Sequence, residues 1–198
     1  NTAEKSFENI DEITEHNQNK VLKAFIDNRV SEASFGGSTG YGNGDRGRDT
    51  LEQVFAQIVG AEDAIFRHNF VSGTHTIATA LFGVLRPHDT LLCVTGTPYD
   101  TLQSTLGFND ASGSFKEFLI NYEQIDLTEN GEKEIEKSVE RVEKGGVKVV
   151  YIQRSRGYTL RPSLFVSQIG KLIEAVKSKD PNVIVMVDNC YGEFVEII

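Results

Sequence analysis

Apolar positions follow two periods along this chain. Phe7, Ile10, Ile13, Val21, Leu22, Phe25 and Ile26 fall at mostly helical spacing with acids early, which predicts one or two amphipathic helices up to Asp27. Leu51, Val54, Phe55 and Ile58 form a second helical stripe, opened by residues 49–52 and closed by Gly60. Ala64-Ile65-Phe66 is a short strand candidate. A polar turn at residues 70–74 runs into a helix with Ile77, Leu81 and Val84 on one face, and residues 90–94 form the next strand. Leu102 and Leu106 mark the face of a short helix, while residues 118–120 and 124–127 read as short strands. Residues 131–144 read as a charged helix with Ile135, Val139 and Val142 inward. Residues 147–153 are a strand, and Ser163 is the expected N-cap of a helix carrying Val166, Ile169, Leu172, Ile173 and Val176, stopped by Pro181. The run Val183-Ile184-Val185-Met186-Val187 then stops abruptly on Asp188 and reads as a parallel strand covered on both faces.

Strand–helix alternation of this kind predicts an α/β fold with a mostly parallel sheet flanked by helices. The carboxyl ends of such strands border the ligand crevice, so the polar residues found there are site candidates. Asp188 ends one strand, where a carboxylate can hold a protonated ring nitrogen of the kind that pyridoxal phosphate chemistry needs, or can cap the following turn. Tyr99 follows another strand, where its ring can lie against a planar ligand with the hydroxyl left for proton transfer, or can pack on Leu102 and Leu106. Ser72-Gly73-Thr74 opens a helix, an arrangement that suits a phosphate and equally suits simple N-capping. His75 has no second His or Cys at ligand spacing, so no metal is expected. Residues 34–49 hold six glycines together with Tyr41, Arg46 and Arg48, a composition that excludes a regular helix across the whole segment and favours an anion-binding loop. Arg154, Arg156 and Arg161 crowd the mouth of the strand at 147–153.

Charge narrows the classes of partner. Among 198 residues, 20 basic against 29 acidic ones give a net charge of -9, without the Lys and Arg clusters that hold nucleic-acid backbones or anionic membranes. Cys93 and Cys190 lie in or at the end of apolar runs and read as reduced residues, and no stretch approaches a membrane span or a signal peptide, so a cytoplasmic location is expected. Residues 194–198 stop in apolar sequence, from which we expect the native polypeptide to continue.

Five segments together, residues 38–52, 70–75, 94–102, 153–158 and 187–194, resemble the fold type I pyridoxal-phosphate enzymes of Cys/Met metabolism, such as cystathionine and methionine gamma-lyases, and more narrowly the aluminium resistance protein branch. The resemblance implies a carbon–sulfur lyase acting on a Cys- or homocysteine-derived amino acid, in a homodimer or homotetramer. It implies that Ser72, Gly73 and Thr74 cradle the cofactor phosphate, Tyr99 stacks on the ring and serves catalysis, Asp188 pairs with the ring nitrogen, and Arg156 joins the cofactor site. Two residues on from Asp188, Cys190 should share its strand face and touch the ring. Tyr41, with Arg46 or Arg48, matches a loop that reaches the neighbouring subunit's phosphate. The implied organisation is a helical arm over 1–33, this loop over 34–50, and the N-terminal part of the cofactor-binding large domain over 51–198. One departure stands out: the family's Schiff-base Lys follows the strand-end Asp, whereas all eleven Lys here precede Asp188, so the chain reads as an N-terminal portion. An aminotransferase or decarboxylase with the same cofactor remains an alternative, as does a Rossmann-like nucleotide-binding or assembly module, although no G-x-G-x-x-G turn is present.

Overall fold

A computed structural model describes residues 2–39, 44–128 and 134–197. Two compact units are formed, residues 1–70 with 194–198, and residues 71–193. In the first unit, α1 (Thr2–Asp27) and α2 (Arg46–Val59) meet around Ala24, Val54 and Ile58. Polar side chains tie the same helices: Asn28 Nδ2 donates to Gln57 Oε1 at 2.7 Å, and Gln57 Nε2 donates to Asp27 Oδ2 at 2.8 Å. The α1 stripe extends beyond this contact, and Phe7, Ile10 and Ile26 stay exposed. Residues 194–197 lie on α1, where Asn17 Nδ2 donates to the carbonyls of Phe194 and Glu196.

The second unit is a four-stranded sheet in the order β2-β1-β3-β4, with every pair parallel. Its elements are α3 (Gly73–Val84), β1 (Thr90–Cys93), α4 (Asp100–Leu106), β2 (Asn121–Gln124), α5 (Ile135–Glu143), β3 (Val147–Gln153), α6 (Val166–Lys179) and β4 (Ile184–Asp188). Period-two alternation divides the strand side chains between two cores. Leu91, Cys93, Val149 and Tyr151 pack with Ile77 and Leu81 of α3 and Leu102 and Leu106 of α4. Leu92, Val94, Val150 and Ile152 pack with Val142 of α5 and Ile169, Leu172 and Val176 of α6. The α/β class with a mostly parallel, helix-flanked sheet is therefore as the alternation predicts.

Several local expectations are corrected. Residues 64–66 form no strand, because Phe66 N–H is taken by Glu52 Oε1 at 2.9 Å and its ring packs edge-on against Phe55 at 4.6 Å. One strand, β2, replaces the two expected around it: Leu119 turns the chain with φ 58° and gives its carbonyl to His88 N–H at 2.7 Å, so pairing starts only at Asn121. Helix α2 starts at Arg46, before the expected position, because Asp45 caps it by accepting Arg48 N–H at 3.2 Å. Phe165, not Ser163, is the N-cap of α6, and the Gln168 carbonyl oxygen accepts Phe165 N–H at 3.0 Å. Strand β4 is half-buried along most of its length, not covered on both faces, and among the described residues it pairs with β3 alone at the sheet edge.

Leu172 is fully buried and Lys171 beside it is exposed. We expect Leu172→Ala to cost about 2–5 kcal/mol and Lys171→Ala no more than about 0.5 kcal/mol in urea unfolding of the protein.

Candidate functional site

Strand register decides which face receives the candidate carboxylate. Gln153 pairs with Asp188 and Tyr151 with Met186, so Asp188 has the strand parity of Met186, Tyr151 and Ile184, which pack on the α3–α4 side. Asp188 is 9% exposed and both its oxygens are engaged: Oδ2 accepts the Tyr151 hydroxyl at 3.1 Å and Oδ1 accepts Cys190 N–H at 3.1 Å. The acid therefore does cap its own turn, through Oδ1, while Oδ2 is oriented by a buried phenol. Burial, followed by the Asp188 charge and hydrogen bond, pushes the Tyr151 phenol far above its usual range, so Tyr151 acts as a permanent donor. Sequence reasoning missed Tyr151, since only register reveals that it meets Asp188.

On the same side of the sheet, α3 begins at Gly73 with Ser72 as its N-cap. Ser72 Oγ accepts His75 N–H at 3.1 Å, so the capping role is real, yet its O–H remains available to a ligand. The amides of Gly73 and Thr74 make no hydrogen bond among the described residues, and space is open around the Gly73 Cα. Thr74 Oγ1 lies 3.2 Å from the Tyr99 hydroxyl and 2.8 Å from Thr101 Oγ1. Tyr99 is half-buried against the core that includes Leu102 and Leu106, and its N–H donates to Gln153 Oε1 at 3.0 Å. Thus α3's first turn, Tyr99 and Asp188 occupy one face, with Tyr151 under the influence of both Asp188 and Tyr99. These groups fit an anion beside a planar cationic ring: orphan amides and hydroxyls at the positive helix end, and a buried, already oriented carboxylate.

Cys190 lies just past the strand, on the turn that Asp188 caps. The strand ends at Asp188 and the chain turns, leaving Cys190 exposed while Asp188 is buried. Of the three arginines at the β3 mouth, Arg154 is a buried pin: Nε donates to Leu164 O at 3.0 Å, and one terminal nitrogen donates to Asn189 Oδ1 at 2.7 Å and Gly192 O at 2.5 Å. A Cβ on Gly192 would overlap that guanidinium, which explains the glycine. Arg161 donates to backbone carbonyls; Arg156 is exposed, its carbonyl accepts the Thr159 N–H at 3.1 Å and hydroxyl at 2.6 Å, and its guanidinium makes no hydrogen bond among the described residues. In the first unit, Arg46 is exposed, whereas Arg48 lines a cavity of about 790 Å³ with its Nε buried and without a hydrogen bond. Tyr41 lies outside the described residues.

A sequence profile for the family described as methionine gamma-lyase matches residues 1–198. The chain belongs to this family. It is 48% identical over 189 residues to the uncharacterised protein YnbB of Bacillus subtilis (strain 168), covering 94% of this chain and 45% of YnbB. A crystal structure of a provisionally named cystathionine beta-lyase involved in aluminum resistance, from Clostridium acetobutylicum, superimposes with a TM-score of 0.95 at 46% identity, over 100% of this chain and 47% of that one. A carbon-sulfur lyase involved in aluminum resistance from Clostridium novyi NT gives a TM-score of 0.92 at 45% identity, over 98% of this chain and 46% of that one. The chain thus spans about half the length of the relatives it matches. Among the described residues, no helix of this methionine gamma-lyase family member is long and apolar enough to cross a membrane.

The two cysteines sit on opposite sides of a reactivity divide. Burial pushes the Cys93 thiol up to about 12. Burial, then the charges of Asp188 and Glu193, also raises the Cys190 thiol, but that residue is exposed. We expect an alkylating reagent to modify Cys190 alone in the native protein, faster as pH rises, and Cys93 only after unfolding. Asp188→Asn removes one of the charges that disfavour the Cys190 thiolate, so labelling at neutral pH should accelerate several-fold by peptide mass mapping.

Proposed function

We propose that the complete polypeptide is a pyridoxal-phosphate-dependent carbon–sulfur lyase that cleaves a Cys- or homocysteine-derived amino acid. The observation that carries this reading is the joint placement of α3's free first-turn amides, Tyr99 and the buried Asp188 carboxylate on one sheet face. Family membership and the names of the structural relatives support it.

In this reading the Gly73 and Thr74 amides and the Ser72 and Thr74 hydroxyls hold the phosphate at the positive end of α3. Tyr99 lies against the ring, and Asp188 accepts the ring N–H, kept in orientation by Tyr151. When bound, the cofactor supplies an electron sink for the pair left as Cα loses its proton, which lets a thiol depart. The Tyr99 hydroxyl, 3.2 Å from Thr74 Oγ1, holds a proton at the site that can pass to the departing sulfur. The covalent amine must come from outside these residues, because no Lys follows Asp188. Tyr41 and the half-buried Arg48, whose Nε makes no hydrogen bond and lies 3.6 Å from Asp49 Oδ1, are proposed to serve a neighbouring subunit's phosphate, which makes the enzyme a homo-oligomer. A cytoplasmic location goes with this chemistry.

The complete polypeptide should take up pyridoxal phosphate with a visible absorption band and release thiol from a thioether amino acid. Asp188→Asn should retain the fold and lower turnover by about 10²–10³-fold, the scale for removing one preorganised electrostatic contact. Turnover within a few-fold of the parent would leave Asp188 as a turn cap only.

A further inference from the structure

Three hydroxyls stand in line beside the first turn of α3. The Tyr99 hydroxyl lies 3.2 Å from Thr74 Oγ1, which lies 2.8 Å from Thr101 Oγ1. Burial falls along the line: Tyr99 and Thr74 are half-buried and Thr101 is exposed. The line therefore runs from the ring platform to water. Thr101 stands in the first turn of α4, where Asp100 Oδ1 accepts its N–H at 2.8 Å while its hydroxyl meets Thr74. One side of the Tyr99 ring belongs to the core of Leu102 and Leu106. A ligand on the other side leaves the Thr74 direction as the hydroxyl's outlet.

Each hydroxyl has one proton to give and lone pairs to receive another. Hydroxyls in line are therefore ordered in one of two senses. In the order Thr101 to Thr74 to Tyr99, the Tyr99 proton is free to point at a ligand. In the reverse order it is spent on Thr74. Passing each proton one place along converts the first order into the second while every oxygen stays where it is. We infer that Thr101 is a positioning residue which, through Thr74, returns to Tyr99 the proton that the leaving sulfur takes. The inference rests on the lyase reading and adds a residue to it. As the C–S bond breaks, its electron pair stays on sulfur, which takes the Tyr99 proton and leaves as a thiol. In concert, the Tyr99 oxygen takes the Thr74 proton, Thr74 Oγ1 takes the Thr101 proton, and Thr101 Oγ1 takes one from hydronium or a buffer acid. Each oxygen again holds one proton, nothing in the line is oxidised or reduced, and rotation about the C–O bonds restores the first order. The Thr74 hydroxyl turns from the phosphate to Tyr99 at this moment, because a phenolate, with a pKa of about 10, is a stronger acceptor than a phosphate oxygen with a pKa of about 6.

The test measures thiol release by the complete enzyme from two substrates of unequal need for a proton. S-ethyl-L-cysteine has a basic leaving thiolate, whereas the thiolate of S-(para-nitrophenyl)-L-cysteine leaves without protonation. Thr101→Val keeps the shape and removes the hydroxyl. It should lower kcat about tenfold on the first substrate, a fraction of what a general acid contributes, and change the second by less than about twofold. KM should hold, as should cofactor affinity read by fluorescence titration, and Thr101→Ser should recover most of the rate. Equal losses on both substrates, an equal loss in Thr101→Ser, weakened cofactor binding, or no loss in Thr101→Val overturns the relay. A cofactor-free readout is the pH titration, by fluorine NMR, of a fluorotyrosine in place of Tyr99. Thr101→Val should move its midpoint to higher pH, because the Thr101 donor polarises the Thr74 hydroxyl that stabilises the phenolate. Absence of thiol release from either substrate in the parent fails the lyase reading instead, and an unmoved midpoint then overturns the hydroxyl line on its own.

Discussion

Because β3 pairs parallel with both β1 and β4, its residues form ladder hydrogen bonds along both edges and divide their side chains between two covered faces. A slip of one residue would turn Tyr151 and Gln153 toward α5 and α6, and Val150 and Ile152 toward α3 and α4. That slip would bury a phenol without the Asp188 carboxylate and leave Asp188 without its donor, so polar satisfaction and apolar burial select the same register. Parallel pairing also puts every strand's carboxyl end on one side of the sheet. Tyr99, Gln153 and Asp188, distant in sequence, therefore share one rim.

Along that rim, charge is managed by fixed dipoles and hydrogen bonds more than by ion pairs. Asp188 is held by a phenol and a backbone amide. Arg154 is spent on carbonyls and an amide oxygen, tying the 164, 189 and 192 segments to the end of β3. Gln153 bridges the two strand mouths, accepting from Tyr99 N–H and donating through Nε2 to Ser155 O at 3.1 Å. Such groups hold their orientation before any ligand arrives, which is the condition for electrostatic preorganisation.

The relatives clarify why a chain of this length carries so much of a site. Family similarity extends over all 198 residues, yet these make up about half of each relative. These residues hold the candidate phosphate cradle, ring platform and ring-nitrogen carboxylate. The proposed reaction also needs an amine and a second copy's loop.

Much of this was legible in the chain itself. The apolar runs at 147–153 and 183–187, and the helical stripe of Ile169, Leu172 and Val176, predict a parallel α/β sheet, because periods of two and 3.6 follow from local backbone geometry. Asp188, Tyr99 and Ser72–Thr74 could be picked out because polar residues break those runs at their ends. The single strand β2 and the half-covered state of β4 escaped because each depends on residues distant in sequence, the His88 amide that holds the Leu119 turn and the order of strands in the sheet; the late start of α6 escaped because Gln168 side-chain capping, though local, competes with the Ser163 signal. Tyr151 was one apolar-looking strand residue among several until register set its hydroxyl on Asp188. Cys190 lies past the strand end, in the turn that Asp188 caps, where alternation no longer assigns a face. The sequence by itself determined which elements form and where polar groups interrupt them; only the tertiary structure decided which of those groups meet, because strand register and the sharing of buried hydrogen bonds are properties of pairs, not of single segments.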